Sequence, residues 1–127
     1  MLSITLFLCQ KTGKTTNYGI DYSKQAGRKI TTKGYKKKTV NIEEIMYIKR
    51  EGYLSTLYLQ NGEKIDEIES LCEFERKLCD MGFFRIRNNT IINGKYITEV
   101  NKKTVILEKI TFLIAKRRLK TFLNWIL

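Results

Sequence analysis

The sequence predicts an α+β fold that is predominantly β, made of many short strands with two or three short helices. Three observations carry this reading. Short β-branched and apolar runs, several alternating with polar residues, recur from residue 28 onward. Two stretches only, 68–81 and 116–127, are amphipathic at helical spacing. Between two strand-like runs stands Asn61-Gly62, a strong hairpin signal. A chain of 127 residues with 43% hydrophobic content is one domain in size and can bury a core without disulfides or metals.

The elements follow in order. Met1–Cys9 is apolar but shorter than the about 20 residues a bilayer span needs, and it lacks the basic lead and cleavage site of an export signal. It reads as a strand or arm. Gly13-Lys14-Thr15 resembles the end of a phosphate-binding loop, but Leu8 stands where that loop needs its first glycine. Arg28–Lys33 and Lys36–Val40 read as a first hairpin. Asn41–Ile45 reads as a short helical turn capped by Asn41, with Glu43 and Glu44 in its first turn.

Ile45–Ile48 is an apolar strand. Leu54–Gln60 alternates, with Leu57 and Leu59 on one face and Thr56 and Tyr58 on the other. A type I′ turn at Asn61-Gly62 would return the chain along Glu63–Ile68. The helix over 68–81 places Ile68, Leu71, Cys72, Leu78 and Cys79 on one face, and Gly82 ends it. Five short strands come next: Phe83–Arg87, Thr90–Ile92, Ile97–Val100, Thr104–Leu107 and Ile110–Ile114. The last helix, Lys116–Leu127, buries Leu119, Phe122, Leu123 and Ile126. Residues 1–27 read as an N-terminal extension and 28–127 as the folded domain.

Composition excludes several function classes. There is no histidine, which removes the usual general base and the commonest metal ligand. No acid/base or nucleophile constellation is evident, so no enzymatic role, cofactor, metal or small-molecule substrate is expected. Cys9, Cys72 and Cys79 form no CxxC unit and read as small buried hydrophobes in a reducing, cytoplasmic setting. The formal charge is +11, and it is segregated. Residues 1–39 carry nine Lys/Arg against one Asp, residues 40–82 five against ten acids, and residues 83–127 ten against two. Such segregation suits a protein that turns one side to a polyanion, with the acidic middle facing away.

Three basic elements could meet that polyanion. Arg85-Ile86-Arg87-Asn88-Asn89-Thr90 lies between Phe83-Phe84 and Ile91-Ile92. Arginine matches the acceptors of guanine and asparagine those of adenine, although Asn-Asn also suits an ordinary turn. Lys116-Arg117-Arg118, with Lys120, opens the last helix, where backbone N–H groups favour phosphate. Lys36-Lys37-Lys38, with Arg28, Lys29 and Lys33, could touch phosphates or simply protect a strand edge.

Three stretches resemble the LytTR DNA-binding domains of bacterial transcriptional regulators. They are Ile45–Ile48 through Gly52-Tyr53 to Leu57–Gly62, then Phe84–Asn93, then Ile114–Arg118. The resemblance spans roughly Arg28 to Leu127, and Phe84–Asn93 is its most specific part. It implies an elongated arrangement of small antiparallel sheets whose loops enter successive major grooves, commonly at paired direct repeats that are bent on binding. Carried over, it places base reading on Tyr53, Arg87, Asn88 and Arg117. Phosphate contact falls to Arg85, Asn89, Lys116, Arg118, Lys120, Lys36 and Lys37. Arg87 stands where the family usually has histidine, Asn89 replaces a serine, and Ala115 replaces a serine expected to cap the last helix. Many members of the family also carry a phosphate-receiver domain, and this chain reads as a stand-alone domain without one. The partner implied is double-stranded DNA, bound in the nucleoid, with two copies meeting as a homodimer on paired sites and no membrane role. The alternative is a small basic RNA-binding or ribosome-associated protein, which would stack bases on exposed tyrosines.

Overall fold

The computed structural model describes residues 20–32 and 37–126. Met1–Cys9, Gly13–Thr15 and Lys36 lie outside the described residues. Within them, ten strands form three antiparallel sheets. A two-stranded arm pairs β1 (Lys29–Thr31) with β2 (Thr39–Asn41). The central sheet holds β3 (Ile45–Glu51), β4 (Leu54–Leu59), β5 (Lys64–Glu67), β6 (Phe83–Arg87) and β7 (Thr90–Asn93), in the order β5-β4-β3-β7-β6. A meander of β8 (Ile97–Val100), β9 (Thr104–Leu107) and β10 (Ile110–Leu113) forms the third. Two α-helices complete the fold, α1 (Leu71–Leu78) and α2 (Lys116–Ile126).

The central sheet is covered on both faces. On one, Ile45, Ile48, Leu57, Phe83 and Ile91 pack against Leu71, Phe74 and Leu78 of α1 and Val40 of the arm. On the other, Met46, Ile86 and Ile92 pack with Val105 and Leu107 of the meander and Phe122 and Ile126 of α2. Phe84 meets Phe122 edge-on at 5.5 Å between ring centres and lies 5.0 Å from Trp125. Tyr47 stacks on Tyr58 at 4.3 Å, closed from above by Phe112.

Two bulges reconcile the sequence with this double coverage. In β3, Ile45 faces Leu59 and Tyr47 faces Tyr58, so Met46 is an inserted residue. That insertion puts Ile45 and Ile48, three apart, into the same core. In β6 the inserted residue is Ile86, since Arg85 faces Ile91 and Arg87 faces Thr90.

The described part of the N-terminal segment, residues 20–27, packs on this body. Ile20 is buried beside Gly94, where a Cβ would come within 2.9 Å of its Cδ1. Buried Gln25 exchanges amide hydrogen bonds with buried Asn93 (2.9 and 3.2 Å), and Asn93 also donates to the Ile45 carbonyl at 2.8 Å.

Several expectations change. The first helix is Leu71–Leu78 rather than 68–81, because Ser70 caps it by accepting from the Glu73 N–H at 3.2 Å. Its buried face is Leu71, Phe74 and Leu78. Cys72 lies about 100° round from Leu71, and both Cys72 and Cys79 are exposed rather than buried. Asn41 closes β2 and makes no cap; the turn after it, Ile42–Glu44, is a 3-10 turn. Of Asn61 and Gly62 only the glycine has positive φ (+91°), so the hairpin is not type I′. Gly62 N–H donates to the Leu59 carbonyl and Leu59 N–H to the Glu63 carbonyl, a three-residue loop ended by glycine.

Two outcomes are expected. Glu108 opens the two-residue β9–β10 turn with φ +57°, a left-handed conformation that costs a non-glycine residue about 1–2 kcal/mol. Glu108→Gly is therefore expected to raise the melting temperature by roughly 3–6 °C, read by circular dichroism. The buried Tyr96 hydroxyl donates to the Glu43 carbonyl and to Gln60 Oε1, and burial, then Glu108, Glu43 and Glu44, push its pKa up to about 12. The unfolded chain releases this proton near pH 10. The stabilisation is thus complete below pH 10 and is lost as pH rises towards 12. Melting curves from pH 9 to 12 should fall more steeply for the parent than for Tyr96→Phe.

Candidate nucleic-acid interface

One end of the central sheet gathers most of the polar candidates. β3 and β7 run antiparallel with Lys49 opposite Thr90, so the turns at Gly52-Tyr53 and Asn88-Asn89 leave the sheet at the same end. The Arg50 N–H donates to the Asn89 carbonyl at 2.9 Å and joins them. Gly52 takes φ +68°, and Arg50 Nε donates to its carbonyl at 3.0 Å. Tyr53 stands on this tip 88% exposed.

The bulge at Ile86 decides where the arginines go. In a regular strand Arg85 and Arg87 would share a face. The inserted residue sends Arg85 to α1 and Arg87 to the meander. Arg85 donates to Glu75 Oε1 (3.2 Å), to Cys72 Sγ (3.4 Å) and, through Nε and NH2, to the Asn88 carbonyl (3.2 and 2.5 Å). Among the described residues, Arg87 makes a single hydrogen bond, NH1 to the Leu113 carbonyl at 3.4 Å.

Backbone contacts bring α2 to the same loop. The Ala115 N–H donates to the Ile86 carbonyl at 2.9 Å, and the Ile114 N–H to the Lys103 carbonyl at 2.8 Å. Side chains complete the junction. Asn88 Oδ1 accepts from Arg117 NH2 at 2.5 Å and from Arg118 NH2 at 3.5 Å, while Arg118 NH1 donates to the Arg85 carbonyl at 3.4 Å. Asn89 Oδ1 accepts from the Thr90 hydroxyl at 3.0 Å. Lys116 and Lys120 are exposed, one turn apart on α2.

Three guanidinium groups thus crowd around one asparagine. Desolvation opposes the charge on Arg85, but its hydrogen bonds to Cys72 and Glu75 outweigh this and raise its pKa. Arg118 is shifted the other way, lowered by burial and then by Arg117 and Arg85. Its Nε is buried without a hydrogen-bond partner among the described residues. An anion placed here would relieve the repulsion among these cations.

Tyr53, Arg85, Arg87, Asn88, Asn89, Lys116, Arg117 and Arg118 are therefore brought together. Lys37 is not. Its neighbour Lys38 pairs with Glu63 in the β4–β5 loop, at the opposite end of the sheet. The length of β4, about 20 Å, separates the two ends. The acidic middle of the chain does not lie wholly on the far side either, since Glu75 anchors Arg85 and Glu51 sits beside the Tyr53 tip. The roles of Glu75 and Cys72 in holding Arg85 had no signal in the sequence, because they arise from the packing of α1 against β6.

Replacing Arg85 tests its structural share. Arg85→Ala leaves the Asn88 carbonyl and Glu75 without their partner, and is expected to destabilise the fold by about 1–2 kcal/mol in urea unfolding. Arg85→Lys should restore little of this, since one ammonium cannot reproduce the planar fork.

Comparison with known proteins places this geometry. The LytTr DNA-binding domain model matches residues 35–127. Among solved structures, the LytTr DNA-binding domain of a DNA response regulator from Bacillus cereus superposes with a TM-score of 0.64 at 16% identity, covering 77% of this chain and 94% of that one. At that identity the likeness is one of fold. No curated protein matches the chain. No helix among the described residues is long and apolar enough to cross a membrane. With the family model covering most of the chain, including the Gly52-Tyr53 and Asn88-Asn89 turns and the start of α2, the protein belongs to the LytTR DNA-binding domain family.

Proposed function

We propose that this protein is a sequence-specific DNA-binding transcriptional regulator that reads base edges with Tyr53, Arg87, Asn88 and Arg117. The observation that carries the reading is the Asn88–Arg117 hydrogen bond, which joins the β6–β7 turn and the start of α2 into one presenting surface. Among the described residues, Arg87 and Arg117 are each parked by a single hydrogen bond, which leaves most of the five donors on each guanidinium for acceptors such as guanine O6 and N7. Asn88 uses its carbonyl oxygen on α2, which leaves its amide donors for a base or phosphate acceptor. Lys116, Arg118, Lys120 and Asn89 would hold phosphates beside them. Arg85, bound on three sides, acts by positioning Asn88 rather than by contacting phosphate. Lys37, next to the arm, would at most add a distant phosphate contact, and Lys36 lies outside the described residues.

Arg87 stands where the family usually carries an imidazole, so a long planar fork replaces a short ring donor at that position. Two copies on paired direct repeats would complete the regulator. Enrichment of bound duplexes from a random library should then return two half-motifs about one helical turn apart.

Arg117→Ala is expected to weaken binding to the enriched duplex by roughly 1–3 kcal/mol while sparing much of the binding to a scrambled one. Gel shifts on both duplexes read this. Equal losses on the two would make Arg117 a phosphate clamp, and a parent protein that prefers single-stranded RNA would overturn the reading.

A further inference from the structure

We propose that the β8–β9 turn is a fourth DNA-contacting element, with Lys102 and Lys103 clamping backbone phosphates beside the start of α2. The proposal rests on the DNA-binding reading above. The lysines are far in sequence from the Asn88 turn, and their charge alone says nothing about place. The fold supplies the place. Asn101 and Thr104 close the turn through the Asn101 N–H to the Thr104 carbonyl at 2.9 Å and the Asn101 amide to the Thr104 hydroxyl at 3.4 Å. The Lys103 carbonyl then accepts the Ile114 N–H at 2.8 Å, and the next residue, Ala115, donates to the Ile86 carbonyl at 2.9 Å. Three consecutive attachments thus set the turn, the entry to α2 and the β6 bulge side by side.

Neither lysine side chain takes part in these attachments, so both are left over. Both residues are exposed, and neither forms an ion pair among the described residues. An unpaired lysine pair beside Lys116 and Arg117 adds to the local positive charge, which favours a polyanion over solvent alone. Hydrogen bonds link the β3–β4 tip to the β6–β7 turn, that turn to the start of α2, and the entry to α2 to the β8–β9 turn. Lys102 and Lys103 therefore lie beside the start of α2, at the flank of the proposed reading groups. At this flank a flexible ammonium suits a phosphate, which needs charge but no planar match.

Lys109 provides an internal control. It lies in the β9–β10 turn, at the other end of the same meander, where it lines a cleft with Gln60, Gly62 and Glu63 of the β4–β5 loop. It carries the same charge away from the reading end.

The experiment measures binding to a mixed-sequence duplex of roughly 30 base pairs, about three helical turns, over a salt series. The variants are Lys102→Ala/Lys103→Ala, Lys102→Arg/Lys103→Arg and Lys109→Ala, each checked for folding by circular dichroism. The alanine pair is expected to reduce the magnitude of the slope of log K against log salt by about 1–2. The arginine pair should keep the parent slope and Lys109→Ala should leave it unchanged. An alanine pair with the parent slope overturns the clamp, as does an equal reduction by Lys109→Ala, which would reveal bulk charge only. Failure of the parent to bind any duplex overturns the DNA-binding reading itself and the clamp with it, an outcome distinct from the other two.

Discussion

A five-stranded sheet buried on both faces is the constraint on which the rest of this structure depends. Strand side chains alternate, so a strand serving two cores must supply apolar residues at odd and even positions alike. β3 does this with Ile45, Met46 and Ile48, and it needs the insertion at Met46 to divide them between cores. β6 meets the same demand with Phe83 on one side and Phe84 and Ile86 on the other. With the faces occupied, polar groups are displaced to the ends of the sheet. One end becomes the Tyr53–Asn88–Arg117 surface, and the other holds the β4–β5 loop and the β9–β10 turn.

The bulge in β6 links packing to recognition. Without it, Arg85 and Arg87 would project to the same face and compete for the groups around α1. With it, one arginine becomes internal scaffolding and its neighbour two residues on is left nearly free. Asn88 follows directly and is gripped from both sides, its backbone carbonyl by Arg85 and its side-chain oxygen by Arg117. The groups proposed to read bases are thus held by the core through only one intermediate residue. If they do meet DNA, that arrangement favours a preformed surface with little ordering left for binding.

Electrostatics completes the logic. The charge segregation along the chain reappears in space only in part. The C-terminal basic block does converge on the reading end, yet Glu75 from the acidic middle is needed there to hold Arg85. Burial, and then repulsion from Arg117 and Arg85, depresses the Arg118 pKa, while hydrogen bonds to Cys72 and Glu75 raise that of Arg85 against desolvation. The surface is therefore a set of cations held slightly closer than they would choose in water, a state that an anion stabilises.

The sequence alone determined the fold class, because period-two runs and two amphipathic stretches are local properties of the chain. The short strands from residue 28 onward and the last helix fell close to their expected bounds for the same reason. It also carried the resemblance in Phe84–Asn93 and Ile114–Arg118, where order and spacing of residue types suffice. What it left open depended on contacts between distant segments. Whether Cys72 faces the core depended on which side of α1 meets β3 and β6. That Arg85 would turn inward and Arg87 outward depended on one inserted residue, invisible without its partner strand. That Ile20 and Gln25 belong to the body depended on Gly94 and Asn93, some seventy residues away. Lys102 and Lys103 reached the reading end only through a backbone bond to Ile114. Side-chain periodicity is set by the local backbone, whereas register, bulges and the meeting of loops are set by how whole sheets pack. Only the tertiary structure could decide those.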